Sequence, residues 1–176
     1  MAVIGIGGVG VHALQIAAAA GARAFGLDVS AKAREVASEL GLEALAAGDP
    51  GSAERLMNAS GGDGVDVVID TVGSPETLAQ AFRLVRPAGR VVGVGYSLES
   101  TLEGVPTARF VLEEVELVGS RYVGLDELER AVRLVADGHL RPVIDRVLPL
   151  EQANDALTAL EDGDVVGRVV LDVAGS

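Results

Sequence analysis

The stretch AVIGIGGVGVHALQIAAAAGARAFGLD (residues 2–28) decides the fold. A short β-branched run, "AVIGI", stops at a cluster of glycines. A helix is predicted from about Val9 to Ala20, closed by Gly21, and "RAFGLD" reads as a second strand. Strand, glycine turn, helix and strand make a βαβ unit. Within it, Gly5, Gly7 and Gly10 match G-x-G-x-x-G, with Gly8 as an additional glycine. In such a turn Gly5 permits the tight bend, and Gly7 lets the backbone approach a pyrophosphate. Gly10 lets helix and strand pack closely. The free N–H groups and positive dipole end of the helix then favour phosphate. Asp28 closes the second strand, where a carboxylate accepts hydrogen bonds from the adenosine ribose and repels a 2′-phosphate. That position favours NAD over NADP. A helix-capping Asp, or the ribose acid of a methyltransferase, fits the same spot.

Outward from this unit the alternation continues. "SAKAREVASELG" reads as a helix capped by Ser30 and ended by Gly41, followed by a weak strand at 43–46 and a short helix near 53–59. "VDVVIDTVG" (65–73) is a continuous apolar run, as expected of a strand buried on both faces. Ser74 and Pro75 start a helix in the N-cap and N1 positions. Strands follow at "GRVVGVG" (89–95) and "VELVGS" (115–120), then helix 125–137, strand 143–148, helix 150–162 and strand 167–172. Strands joined by helices imply right-handed crossovers. The expected fold is therefore α/β: a Rossmann-like doubly wound parallel sheet with helices on both faces, plus a short C-terminal α/β extension.

Composition narrows the function. The chain has 176 residues, 49% of them hydrophobic and 23% charged, as in globular proteins. Its net charge of −12 argues against nucleic acid as a partner. No cysteine is present, which excludes disulfides and thiolate metal sites. The apolar runs are too short or too interrupted to span a bilayer, and the first lacks the charged region that precedes a leader. A cytoplasmic location is expected. His12 and His139 stand far apart in the sequence and read as structural or solvated, so no metal ligand and no catalytic residue is assigned.

Five segments carry a resemblance: "VIGIGGVG", "GVDVVIDTVG", "RPAGRVVGVGY", "ELVGSRYVG" and the long tail "DGHLRPVIDRVLPLEQANDALTALEDGDVVGRVVLDV". Together they resemble the zinc-type, medium-chain alcohol dehydrogenase family over the whole chain. The glycine turn is shared by many dinucleotide folds; the tail is specific and weighs against a methyltransferase. The resemblance implies that Gly8 and Val9 offer N–H groups to the pyrophosphate and Asp28 holds the ribose. It places Val29 and Val72 around the adenine, and Val92, Ser120 and Tyr122 at the nicotinamide end. It directs Arg168 to the pyrophosphate. A lysine that the family often carries five residues after the ribose acid is Ala33 here, flanked by Lys32 and Arg34. Val29, Val72 and Val92 read equally well as core; a surface ion pair is the lesser alternative for Arg168, and a packing aromatic the alternative for Tyr122.

The family also implies a division at residue 122. Residues 1–122 would form the dinucleotide-binding domain, and residues 123–176 would pack on a catalytic domain that carries zinc, which this chain does not bind. The expected function is the NAD(H)-binding portion of an alcohol or polyol dehydrogenase, inactive alone, its cofactor bound weakly for want of the contacts a catalytic domain contributes and with the tail that holds Arg168 expected to be loose. A stand-alone NAD(H) sensor or regulatory module is the alternative. The zinc-free quinone reductase branch, which uses NADPH, is disfavoured by Asp28. A homodimer is expected through an apolar strand and sheet edge near residues 105–118.

Overall fold

Ala2, Val3 and Ile4 form β1, and their side chains alternate between the two faces of a sheet. Ala2 and Ile4 enter one apolar cluster with Phe25, Leu56 and Phe82; Val3 enters another with Ile6, Leu14 and Ala37. Both clusters are buried, so both faces of the sheet must be covered by helices. The computed structural model describes residues 1–98, 101 and 105–173. In chain order the elements are β1 (Ala2–Ile4), α1 (Gly10–Ala19), β2 (Phe25–Asp28), α2 (Ala31–Glu39) and β3 (Glu43–Ala46). Next come α3 (Pro50–Ala59), β4 (Val65–Asp70), α4 (Pro75–Leu84), β5 (Val85–Gly93), α5 (Ala108–Leu112) and β6 (Glu116–Gly119). The chain closes with α6 (Leu125–Ala136), β7 (Ile144–Pro149), α7 (Ala153–Glu161) and β8 (Arg168–Asp172).

Six strands form one parallel sheet in the order β3-β2-β1-β4-β5-β6, and β7 pairs with β8 in a separate parallel pair. The order reverses between β1 and β4, which places a crevice at the carboxyl ends of those strands. The expected Rossmann-like α/β fold is present. Ser30 caps α2 by accepting from Ala33 N, and Ser74 caps α4 by accepting from Thr77 N, with Pro75 at N1.

Four local readings differ from the sequence expectation. β4 stops at Asp70 rather than running to Gly73, because the Asp70 carboxylate takes the N–H groups of Val72 (2.9 Å) and Gly73 (3.1 Å) and bends the chain. α3 starts at Pro50, since Asp49 accepts from Ser52 N and serves as the N-cap. β5 starts at Val85, which pairs with Val65, ahead of a left-handed Ala88 (φ 54°). The segment leading to the edge is not strand throughout: 108–112 is a short helix, and only Glu116–Gly119 joins the sheet. Arg109 explains that turn. Its guanidinium donates to the Phe82 and Val85 carbonyls at the end of α4 and to Glu113, while Phe110 packs edge-on against Phe82.

Candidate functional site

The glycine turn leaves β1 and enters α1. Gly5 is left-handed (φ 79°), and a Cβ there would meet Val72 Cγ2 at 2.6 Å and Thr71 Oγ1 at 2.8 Å. Thr71 secures this bend by donating its hydroxyl to Gly5 O at 2.7 Å. A Cβ on Gly10 would run into the carbonyl of Gly5, so the turn closes only with glycine at both ends. Among the described residues, the N–H groups of Gly7, Gly8, Val9 and Gly10 donate to no protein acceptor. They are the orphan donors of a helix start, at the end of the macrodipole that favours an anion.

Gly7 and Gly8 differ in what surrounds them. Nothing lies within 4 Å of a Cβ built on Gly7, so that face is open. A Cβ on Gly8 would stand 2.6 Å from Gly167 O and 3.4 Å from Arg168 Cζ. The additional glycine of the motif is therefore the seat of the C-terminal segment, and it brings the Arg168 guanidinium to the turn. Sequence spacing could not show this, because the two positions are far apart in the chain.

Asp28 reaches back to the same turn. Its Oδ2 accepts from Ile6 N at 2.8 Å and its Oδ1 from Ser30 N at 2.8 Å. Each carboxylate oxygen keeps lone-pair capacity for a further donor. Val29 and Val72, read as either core or contact, are surface side chains, 83% and 47% exposed. Of the two basic residues flanking Ala33, Lys32 turns to the tail, pairing with Asp145 at 3.0 Å and donating to Asp164 O. Arg34 folds onto the carbonyls of Asp28 (2.8 Å) and Val29 (3.0 Å) and so stands beside the candidate ribose position.

At the other end, Ser120 and Tyr122 line a cavity of about 370 Å³ with Gly93, Tyr96 and Arg121. Val92 is set back, half-buried between Ile69 and Val118 in the sheet. Tyr122 is left-handed (φ 59°), uncommon for a bulky residue, and its ring carries the Arg121 guanidinium at 4.3 Å. Asp70, which the sequence reading passed over, is 1% exposed and fully bonded to Val72 N, Gly73 N and Thr77 Oγ1. It fixes the loop that carries Val72.

The profile of the family described as zinc-binding dehydrogenase matches residues 8–137. The chain belongs to that family. The D-arabinose 1-dehydrogenase (NADP(+)) of Saccharolobus solfataricus is 36% identical over 171 residues, covering 95% of this chain and 47% of that protein. An NAD-dependent alcohol dehydrogenase of Sulfolobus acidocaldarius is 35% identical over 168 residues, covering 95% and 48%. The crystal structure of the alcohol dehydrogenase from Aeropyrum pernix superposes with a TM-score of 0.87 at 33% identity, covering 98% of this chain and 49% of that one. The chain spans about half the length of the relatives it matches.

The residues of this zinc-binding dehydrogenase chain do not fit the metal for which the family is named. It has no cysteine and two histidines, and among the described residues no group of three His, Asp or Glu side chains converges. His12 has both ring nitrogens engaged, facing Gly8 O at 3.0 Å and Val143 N at 3.1 Å. The tail, expected to be loose, is tied down. Gln15 exchanges two hydrogen bonds with the Arg141 backbone (3.0 and 2.9 Å), and Val166 joins the α1–α2 face of the core. Burial alone would raise the Asp145 carboxyl, but hydrogen bonds from Arg146, Lys32 and Val166 N outweigh it and hold the group below its ordinary range.

Proposed function

We propose that this chain is the NAD(H)-binding portion of a medium-chain alcohol or polyol dehydrogenase and binds the cofactor without turning over an alcohol by itself. The single observation that carries the reading is the turn. At the carboxyl end of β1, beside the sheet's switch point, four N–H groups have no protein acceptor among the described residues, the Arg168 guanidinium lies against Gly8, and the Asp28 carboxylate accepts from Ile6 N. The N–H groups and Arg168 would hold the pyrophosphate, and Asp28 the adenosine ribose. Val29 and Val72 would flank the adenine. Ser120 and Tyr122, with Val92 behind them, would orient the nicotinamide, which supplies the hydride chemistry when bound. The two relatives named above carry different cofactors in their names, so the preference for NAD rests on Asp28.

Residues 1–122 are read as the dinucleotide-binding unit and 123–176 as a segment that packs on a further domain. Exposed apolar residues on one side of α6, including Leu128 and Val132, and on α7, Leu157 and Leu160, support this. The outer edge of β6, unpaired among the described residues, supports pairing of two copies there. Light scattering at micromolar concentration should find the chain above its 17.9 kDa monomer mass; a clean monomer contradicts the pairing. The functional reading is tested by NADH fluorescence titration beside an absorbance assay with a panel of alcohols, with and without zinc. Saturable NADH binding and no turnover are expected. Zinc-dependent turnover by the purified chain overturns the reading, as does an absence of NADH binding.

A further inference from the structure

His12 lies in the first turn of α1, yet its ring touches two segments that the sequence keeps far apart. The Val143 N–H donates to Nε2 at 3.1 Å. A backbone amide can only donate, so Nε2 carries the lone pair and the proton of the neutral ring sits on Nδ1. Nδ1 is 3.0 Å from Gly8 O and donates to it. Val143 continues the chain of contacts, its carbonyl accepting from Arg168 N at 2.9 Å. The Arg168 guanidinium in turn closes on Gly8, with Cζ 3.4 Å from the position a Gly8 Cβ would take. The contacts form a ring: Gly8, His12, Val143, Arg168 and Gly8 again.

This ring determines where two anion-facing groups point. Gly8 C=O and Val9 N–H share one planar trans peptide, so they face opposite ways. Holding the carbonyl on the imidazole aims the Val9 N–H the other way, where it has no protein acceptor among the described residues. Holding Val143 through the other nitrogen fixes the backbone that presents Arg168. We infer that His12 is a positioning residue: one neutral imidazole, in the Nδ1–H tautomer, sets both the Val9 N–H and the Arg168 guanidinium for a dinucleotide pyrophosphate. The inference rests on the cofactor reading above. The fold does not depend on it, since Gln15–Arg141 and Lys32–Asp145 tie the tail independently.

Nitrogen-15 NMR of the imidazole reads the tautomer without any cofactor. The expected pattern is a protonated Nδ1 and a bare Nε2; the reverse pattern overturns the inference. NADH titration then reads the positioning. His12→Leu should weaken NADH about 5- to 30-fold, the scale of one or two lost hydrogen bonds. His12→Gln, whose amide can donate to one partner and accept from the other, should recover most of that loss. Arg168→Ala combined with His12→Leu should lose clearly less than the product of the two single effects, because His12 acts partly through Arg168. A His12→Leu chain that melts lower but binds NADH as tightly as the wild type overturns the inference, and so does a double variant with fully multiplied losses. Failure of the wild-type chain to bind NADH overturns the cofactor reading together with this inference. Binding that depends on Asp28 but not on His12 overturns this inference alone.

Discussion

Adding one methyl group to each of two adjacent glycines should separate their roles. Neither Gly7 nor Gly8 lies in the left-handed region, so alanine fits both backbones. At Gly8 the new methyl would stand 2.6 Å from the Gly167 carbonyl, a main-chain atom held by the β7–β8 pair rather than the end of a flexible side chain. Relief requires the 167–168 segment to move by roughly an ångström. Overpacking of this kind costs about 1–3 kcal/mol. In a chain of this size, that corresponds to a melting temperature lower by roughly 2–12 °C. The same movement carries Arg168 off the turn, so NADH affinity should fall with stability. At Gly7 a Cβ meets nothing within 4 Å, and Gly7→Ala should melt like the wild type. Its methyl projects into the open face above the turn, where the pyrophosphate would lie, so NADH binding should fall by tenfold or more while stability holds. Scanning calorimetry and NADH fluorescence on the two variants are the assay. If Gly8→Ala leaves both quantities unchanged, the seating of the tail on the turn is wrong. If Gly7→Ala binds NADH normally, the phosphate face has been misplaced.

Two further perturbations probe the frame around the site. Asp70→Ala leaves two backbone N–H groups and the Thr77 hydroxyl without their buried acceptor, and should cost about 3–5 kcal/mol in urea unfolding; Asp70→Asn, which keeps one acceptor, should cost less. Asp145 has a folded-state pKa below its unfolded value. Its contribution is therefore complete above the ordinary carboxylate range and is lost as pH falls through the lower folded value. Cleavage of the 137–173 segment by an acid-active protease should therefore rise as pH falls below the ordinary carboxylate range, and Asp145→Asn should make the segment equally susceptible at higher pH. A wild-type segment whose susceptibility does not change across that range refutes the role given to the Lys32–Asp145 tie.

The features legible in the sequence were local ones. The glycine turn, the Asp at the end of β2, and the Ser-Pro start of α4 are set by backbone chemistry within a few residues. The continuous apolar run of β4 announced a strand covered on both faces. What escaped the reading depends on partners distant in sequence. Gly8, an additional glycine of the motif expected to offer its N–H to the pyrophosphate, also seats Gly167, and His12, read as structural or solvated, is bonded by Val143, 131 residues on. Asp70 sat inside an apolar run and is the last residue of the strand; what the sequence did not show is that its carboxylate ends that strand. The 108–112 helix carries an apolar sequence that suits either strand or helix; Arg109, capping α4, decides for the helix.

The claim at the centre is that Asp28 and the glycine turn form one site that takes NAD(H) and discriminates against a 2′-phosphate. Titration of NAD and NADP calorimetrically into the wild-type chain and Asp28→Ala measures it directly. A charge-assisted hydrogen bond is worth roughly 1.5–3 kcal/mol, so the substitution should weaken NAD by about tenfold to a hundredfold. NADP, which meets repulsion from the same carboxylate, should lose little or gain. Equal losses for the two cofactors, or a wild-type chain that binds neither, would contradict the account.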